Sequence, residues 1–422
     1  MRRFILAAAL SAVFGSAHAD FRIPGFELVQ TAPVETTLHS ADLRDPVTVW
    51  SELFDNAKSE IVIGQFYIAS KAGAPFEHVI ERLEAAGKRG VKIRFLLDQK
   101  GVGLSDAGTI ERIKAIPNME FRILDVNKLT GNGIIHAKYL VVDRAVAFVG
   151  SQNFDWRSFT HIHETGLRIS DPKVVGEIQA IFEQDWSAQA QVAQGRTVAP
   201  LRAKAPVLAT PAPLAEVAPA LAAPAAAPDA VLLSSPGAFN PPGVLDSEIT
   251  LPALLADAKE EVRVQLLDYA PLSYGPKGTR PYYAVIDNAV RAAANRGVKI
   301  KLMVSNWNLE APALAYLKSL AVLPNVEIRV VTLPKASTGF IPFARVIHSK
   351  IMTIDGKLAW VGTSNWSGGY LDLSRNIEVV MRNEQMAKRL TALHEQTWSS
   401  QYAQPLDINK NYPKPNKAKE EE

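Results

Sequence analysis

The sequence predicts an α/β fold with two duplicated α/β/α halves, whose mixed β-sheets pack about a pseudo-two-fold axis around one shared site. Two observations predict the duplication. The segment "GIIHAKYLVVDRAVAFVGSQNFDWRS" (133–158) recurs with the same polar spacing in "VIHSKIMTIDGKLAWVGTSNWSGGY" (346–370). Upstream, "RGVKIRFLLD" (89–98) matches "RGVKIKLMVS" (296–305), and "PNMEFRIL" (117–124) matches "PNVEIRVV" (324–331). Matches that keep the same order along the chain indicate an internal repeat.

The alternation of elements is the third observation. In the first copy, apolar strands near 61–67, 91–97 and 120–124 alternate with amphipathic helical segments near 76–86 and 107–115, and the motif strand follows. The second copy runs the same way from Val262. Strands interleaved with helices are typical of α/β units with a largely buried sheet.

The ends and the middle of the chain have a different composition. Residues 1–19 join Arg2 and Arg3 to a short apolar run and end in Ala17-His18-Ala19, which predicts a signal peptide cleaved after Ala19 and a periplasmic or secreted protein. We assign 20–198 to the first half, 199–230 to an Ala/Pro-rich linker, 231–410 to the second half and 411–422 to a disordered tail. No further apolar stretch is long enough to cross a bilayer, so no transmembrane segment is expected.

Composition excludes several classes of function. The 422 residues contain no cysteine, which rules out thiol catalysis and cysteine–metal sites. The net charge is +3, and it is +1 without Arg2 and Arg3, so the whole molecule has no strong field for nucleic acid. An anionic substrate therefore has to be held by a local cluster.

The repeated motif supplies such a cluster. It carries a histidine, a lysine, an aspartate, a hydroxyl and an asparagine in a fixed order, and every member recurs 212 residues later. These residues are His136, Lys138, Asp143, Ser151 and Asn153 in the first copy, and His348, Lys350, Asp355, Thr363 and Asn365 in the second. Because strand side chains alternate, each histidine and its lysine project from one face. The Gly-Ser and Gly-Thr turns then bring the asparagines and hydroxyls beside them.

An imidazole, an ammonium, a hydroxyl and a carboxamide form a site for a tetrahedral anion. Two facing copies suit metal-independent phosphodiester cleavage, in which one histidine forms a covalent phosphohistidine and the other transfers protons. Two lysines and two asparagines would stabilise the phosphoryl oxygens, so neither a metal nor another cofactor is expected. A nucleophilic imidazole needs a partner for its second nitrogen, and Glu164 and Glu378, on the strands that follow, are the candidates.

For other residues the sequence predicts structural or substrate-binding roles. Asp143 and Asp355 fall at hairpin turns, where an aspartate usually bonds its own backbone, so we expect a structural role. Ser151, Thr363, Trp156 and Trp366 are candidate substrate-binding residues, the tryptophans as pocket walls. Tyr67, Tyr269 and Trp307, near strand ends, are further candidates for the pocket, while His161 and His163 are expected to be exposed loop residues.

The two H-x-K-x₄-D-x₆-G-[ST]-x-N runs resemble the duplicated motif of the phospholipase D superfamily. "DVNKLTGNGIIHAKYLVVD", "NFDWRS", "IPFARVIHSK" and "VGTSNWSGGY" are most similar to the phospholipase-D-like exonucleases of lysosomes and the related poxvirus envelope proteins. The resemblance spans about residues 40–400 without the linker. It implies that the histidines, lysines and asparagines of both copies line one active site and that the motif aspartates are structural.

The substrate stays open between two classes. The resemblance to exonucleases and the available aromatic residues favour a single-stranded nucleic acid end. A phospholipase D or transphosphatidylase acting on phospholipid head groups is the alternative, and "STGFIPFARV" (337–346) or "YAPLSYGPKGTRPYY" would form its apolar rim for transient contact with a membrane surface. A non-catalytic binding protein is the distant alternative, disfavoured because both copies keep every motif position.

Overall fold

The computed structural model describes residues 20–203, 229–274 and 279–418. The predicted signal peptide and most of the predicted linker, residues 204–228, lie outside these ranges. The strands in the described ranges are β1 (Arg22–Ile23), β2 (Phe26–Thr31), β3 (Glu60–Gln65), β4 (Ile68–Ala69), β5 (Lys92–Asp98), β6 (Met119–Leu124), β7 (Tyr139–Val142), β8 (Val146–Gly150), β9 (Phe154–Asp155), β10 (Glu164–Ile169), β11 (Asp229–Ser235), β12 (Leu245–Asp246), β13 (Glu261–Leu266), β14 (Lys299–Ser305), β15 (Val326–Val331), β16 (Ile351–Ile354), β17 (Leu358–Gly362), β18 (Asn376–Arg382) and β19 (Ala403–Pro405).

Helices alternate with these strands in the same ranges. They are α1 (Pro46–Asn56), α2 (Phe76–Lys88), α3 (Gln99–Val102), α4 (Ala107–Lys114), α5 (Asn127–Thr130), α6 (Pro172–Ala193), α7 (Ser247–Asp257), α8 (Val285–Asn295), α9 (Ala313–Ala321) and α10 (Glu384–Trp398). Local sequence sets several helix starts, because Asp45, Asp171 and Asp246 each accept a backbone N–H of the first turn.

Two large sheets form the described body. Their strand orders are β1-β2-β10-β8-β7-β3-β5-β6 and β12-β11-β18-β17-β16-β13-β14-β15-β19. In each sheet the three strands joined by helices are parallel, and the motif strands pair antiparallel beside them. The prediction of an α/β fold with two equivalent mixed sheets is confirmed.

The core is arranged in layers around the boundary between the halves. One hydrophobic cluster joins the inner faces of both sheets to α6 and α10, while two others fill the spaces between each sheet and its outer helices. Burying α6 and α10 between the sheets fixes the two motif copies opposite one another.

The segments flanking the second half differ from the boundaries expected from composition. Strand β11 begins at Asp229, and Leu201 N donates to Ala238 O at 2.8 Å. The tail was expected to be disordered from residue 411, yet in its described part Lys417 O accepts from Phe343 N at 2.8 Å and Lys414 pairs with Glu310 at 2.7 Å. Lysines within this polar segment find an acidic partner, which composition alone does not reveal.

Among the helices of the described ranges, none combines the length and the apolar character that a membrane span requires.

Candidate active site

The segment that carries each motif histidine is hydrogen-bonded to the other half of the molecule. Arg375 O accepts from His136 N at 2.9 Å, and His163 O accepts from His348 N at 2.8 Å. Arg375 and His163 lie immediately before β18 and β10 respectively. The first residue of each of these strands is thereby placed next to the histidine of the opposite copy.

The two imidazoles have different partners across this boundary. His348 Nδ1 lies 2.8 Å from Glu164 Oε2, and His136 Nδ1 lies 3.1 Å from Asn376 Oδ1. The Asn376 amide is oriented by its Nδ2, which donates to Tyr370 O at 2.8 Å. Its Oδ1 therefore faces His136 as an acceptor, which places the proton of a neutral imidazole on Nδ1 and leaves the lone pair on Nε2.

Glu378 is not a histidine partner, contrary to the sequence prediction. Its carboxylate bonds Ser364 Oγ and Trp360 Nε1 within the second half, and burial raises the pKa of this carboxyl to about 7. The residue equivalent to Glu164 is Asn376, which lies 212 residues further on, the offset that the rest of the motif keeps. By the same offset Glu378 occupies the position of Gly166, two residues further along the strand. Glu164, by contrast, contacts a histidine of the other copy.

Both lysines are fully buried beside their histidines. Lys138 Nζ donates to His136 O, and Lys350 Nζ donates to His348 O. Burial lowers the pKa of Lys350 to about 7, and burial together with the nearby Lys350 charge lowers the pKa of Lys138 well below its usual range. The nearby Glu164 carboxyl offsets the effect of burial only in part, so both ammonium groups would interact strongly with a bound anion.

The histidines are also held neutral. Burial, followed by the charges of Lys138 and Lys350, lowers the pKa of both His136 and His348. Burial raises the pKa of Glu164 to about 7. Glu164 and His348 therefore form a coupled pair that gains or loses a proton near neutral pH, whereas His136 faces a partner that does not titrate.

The two motif asparagines lie close to the histidines but differ in exposure. Asn153 lines the pocket that contains the histidines, while Asn365 is fully buried and its Oδ1 accepts from Asp268 N at 3.3 Å. Within the described residues Asn365 Nδ2 has no hydrogen-bond partner. A buried amide nitrogen of this kind can donate to an incoming oxyanion.

Ser151 and Thr363 do not line the pocket, although the sequence made them candidate substrate-binding residues. Both are fully buried, and each hydroxyl accepts a backbone N–H of the neighbouring strand, from Thr165 and Ile377 respectively, at 3.0 Å. Thr363 also donates to Asn376 Oδ1 at 3.0 Å. The hydroxyls therefore support β10 and β18, and Thr363 acts on His136 only through Asn376.

Neither tryptophan reaches the pocket, although both were candidate walls. Trp366 is 1% exposed and packs near Trp360 and Tyr269 in the second-half core. Trp156 lies against His161 and beneath the Lys71 ammonium. Trp366 therefore packs in the core of the second half, and Trp156 packs, partly buried, against the core of the first half.

Asp143 and Asp355 lie at the hairpins, away from the pocket. Asp143 accepts the backbone N–H groups of residues 58–60 at 2.8–2.9 Å, and Asp355 accepts those of 259–261 at 2.8–2.9 Å. Each aspartate thus ties its hairpin to the loop before β3 or β13. Both aspartates therefore hold the backbone in place, and their contacts are equivalent in the two halves.

His136 and His348 line one pocket of about 520 Å³. The other lining residues are Phe66, Tyr67, Gly103, Leu104, Asn153, Arg157, Ile162, Leu267, Trp307, Pro342, Phe343, Val346 and Tyr370. Of the three further aromatic residues that the sequence suggested for the pocket, Tyr67 and Trp307 line it and Tyr269 does not. His163, expected in an exposed loop, is fully buried between the halves.

The family follows from the duplicated fold and the shared pocket. Residues 51–186 and 251–398 match the family described as "Cardiolipin synthase, PLD-like domain". The chain belongs to this family and is a phosphodiesterase of the phospholipase D superfamily.

Individual relatives cover most of the chain. This chain is 30% identical to a probable phospholipase D of Caenorhabditis elegans, and the match covers 89% of this chain and 68% of the relative. It is 29% identical to a 5'-3' exonuclease of Xenopus tropicalis over 85% of this chain and 76% of the relative. The crystal structure of a phosphatidylserine synthase of Haemophilus influenzae shares the fold, with a TM-score of 0.57, 12% identity and 85% of each chain covered.

Proposed function

We propose that the protein is an exported phosphodiesterase that cleaves the ends of single-stranded nucleic acid by a metal-independent, two-step reaction. The observation that carries this proposal is the pocket that both histidines line, each with its Nδ1 held by a residue from the opposite half. One pocket with two differently tuned imidazoles suits one nucleophile and one proton donor.

In the first step, His136 Nε2 attacks phosphorus and forms a P–N bond. The bond between phosphorus and the leaving oxygen breaks, and that oxygen takes a proton from His348. His136 suits the nucleophile's role because the neutral Asn376 amide fixes its tautomer without favouring an imidazolium. His348 suits the acid because its Nδ1 lies 2.8 Å from the Glu164 carboxyl, and the pair shares a proton near neutral pH.

In the second step, water attacks the phosphohistidine. Its proton passes to His348, the P–N bond breaks, and a phosphate monoester leaves with His136 restored. Lys138, Lys350, Asn153 and Asn365 stabilise the negative charge on the phosphoryl oxygens in both steps. The four groups supply the charge that phosphoryl-transfer enzymes otherwise take from Mg²⁺.

Nucleic acid is favoured as substrate by the lining of the pocket. Phe66, Tyr67, Trp307, Phe343 and Tyr370 surround the histidines. Aromatic rings beside a phosphate site allow bases to stack without sequence preference. The Xenopus tropicalis protein, which is 29% identical over 85% of this chain, is named a 5'-3' exonuclease.

A phospholipid substrate is the second candidate, and one observation favours it. Leu104 is 56% exposed and Phe343 is 46% exposed, and both line the pocket. Phe343 belongs to the segment 337–346 for which the sequence predicts an apolar rim. Exposed apolar side chains at a pocket entrance would allow transient contact with a lipid surface.

One experiment tests both the mechanism and the substrate. Purified protein is incubated with a labelled single-stranded oligonucleotide and, separately, with phosphatidylcholine vesicles, each with and without EDTA. We expect EDTA-resistant release of nucleotides from the oligonucleotide and, after quenching in an alkaline denaturant that preserves the P–N bond, a phosphoryl adduct mapped to His136 by mass spectrometry. Cleavage of the vesicle lipid without cleavage of the oligonucleotide would make phospholipid the substrate in place of nucleic acid. Loss of activity in EDTA would contradict the metal-independent mechanism.

Export is tested on the expressed full-length chain. The proposal requires that the first 19 residues be removed, so the exported protein should begin at Asp20 when its N-terminus is determined. Retention of Met1 in the exported protein, or its confinement to the cytoplasm, would contradict the proposal.

A further inference from the structure

A second cavity of about 210 Å³ lies next to the catalytic pocket. Tyr370 lines both spaces, so we call the second one the side cavity. The Tyr370 ring is 4.7 Å from the His136 ring and 5.8 Å from the Tyr274 ring. A substrate bound at His136 therefore needs to pass only one aromatic ring to enter the side cavity.

The side cavity is built by both halves of the molecule. Asn132, from the first half, donates through Nδ2 to Tyr274 O at 2.6 Å. Asn132 Oδ1 accepts from Lys100 Nζ at 3.1 Å, which holds the ammonium at the wall of the cavity. The lysine is exposed, so the ammonium keeps donors for another acceptor.

A second positive charge lies against Tyr274, one of the lining residues of the side cavity. The Arg280 guanidinium lies 4.3 Å from the centre of the Tyr274 ring, and its Nε donates to Ser273 O at 3.2 Å. The side cavity thus combines two aromatic rings, Tyr274 and Tyr370, with the Lys100 ammonium in its lining, and the Arg280 guanidinium adds positive charge next to Tyr274. Positive charge along a groove with interleaved aromatic rings is the arrangement that holds a nucleic acid single strand.

We infer that the side cavity binds the phosphate next to the one that is cleaved, with Lys100 as its principal ligand. The inference rests on the proposed nucleic acid substrate and deepens it, since it places two successive phosphates on the protein. A phospholipid with a single phosphodiester group would leave Lys100 without an anionic partner. A nucleic acid strand that continues past Tyr370 would contact both the Tyr370 ring and the Lys100 ammonium.

The test compares substrates that differ by one phosphate. A thymidine dinucleotide with a single phosphodiester group is assayed beside the same dinucleotide carrying one extra terminal phosphate, at the 5' end or at the 3' end. The proteins are the wild type, Lys100→Met, Lys100→Arg and the control Lys88→Met, which alters an exposed lysine at the end of α2. We expect one terminal phosphate to lower KM about tenfold in the wild type and in the control.

Lys100→Met should remove that advantage without changing the KM of the unphosphorylated dinucleotide or kcat, and Lys100→Arg should restore part of it. The inference is overturned if neither terminal phosphate lowers KM, or if Lys100→Met raises KM equally for all three substrates. Either result leaves the proposed nuclease activity standing. Absence of cleavage of any dinucleotide and of longer strands by the wild type would instead refute the proposed substrate, and the inference with it.

Discussion

The two halves of the molecule share their central strands, their hairpins and the histidine, lysine, aspartate and asparagine of the motif, but the residue that contacts each histidine differs. Residue 164 is a glutamate that contacts His348, and residue 376 is an asparagine that contacts His136. The supporting geometry is the same in both halves, including the buried lysines and the hydroxyls that hold the strand starts. The difference teaches that a repeat can keep its scaffold while it gives its two histidines different partners, one acidic and one neutral.

The largest expected effect comes from removing each histidine. Both His136→Ala and His348→Ala should lower turnover of an oligonucleotide by at least about 10⁴-fold. With bis(p-nitrophenyl) phosphate, whose leaving group needs no proton, His348→Ala should still release a first equivalent of p-nitrophenol and accumulate the adduct on His136. Rapid-quench kinetics and mass spectrometry measure both, and an adduct on His348 in the wild type would reverse the assignment.

Exchanging the partners should have a smaller effect. Glu164→Gln is expected to lower kcat about 10²-fold on oligonucleotides, because the imidazolium of His348 loses its carboxylate. Asn376→Asp is expected to lower it only about tenfold, because a carboxylate makes His136 easier to protonate. Urea unfolding of both variants controls for folding, and equal losses in the two would remove the distinction between the halves.

The pH profile should separate the two histidines further. Since burial raises the pKa of Glu164 to about 7, the Glu164–His348 pair holds its proton below that pH and loses it above. The value of kcat/KM for an oligonucleotide should therefore fall about tenfold per pH unit above pH 7. With bis(p-nitrophenyl) phosphate the fall should be absent under single-turnover conditions, and an identical fall for both substrates would assign it to another group.

The smallest effect on kcat is expected from the hairpin aspartates, whose contacts are the same in both halves. Asp143→Ala and Asp355→Ala each remove an acceptor for three backbone N–H groups outside the pocket. Each should lower the free energy of unfolding by about 1–2 kcal/mol while kcat stays within about twofold. Denaturant titration gives the first quantity, and a large loss of kcat without loss of stability would give these aspartates a chemical role.

The sequence predicted the fold, the duplication and the motif residues because a constant offset between two copies is visible in one chain. The same offset leads from Glu164 to Asn376, and the prediction of Glu378 failed because an acidic residue was preferred over the equivalent position. That Glu164 contacts His348 depends on how two sheets pack around α6 and α10, which the residue pattern within one copy does not encode.

The residues that surround the histidines were harder to predict for a physical reason. Phe66, Leu104 and Phe343 lie outside the repeated motif, in segments where the two copies do not match. Ser151 and Thr363 were assigned to substrate because a hydroxyl next to glycine suits a ligand site. Their burial, and their bonds to the backbone of a neighbouring strand, become visible only once the strand pairing is known.

The contacts of His136 with Asn376 and of His348 with Glu164 also bear on why the copies are joined in one polypeptide. If two identical chains paired about a true symmetry axis, whatever residue stood behind one imidazole would stand behind the other as well. Covalent fusion lifts that constraint, since each copy then accepts substitutions of its own. A symmetric pair of chains would have two histidines with identical partners, and in this single chain each histidine has a partner of its own.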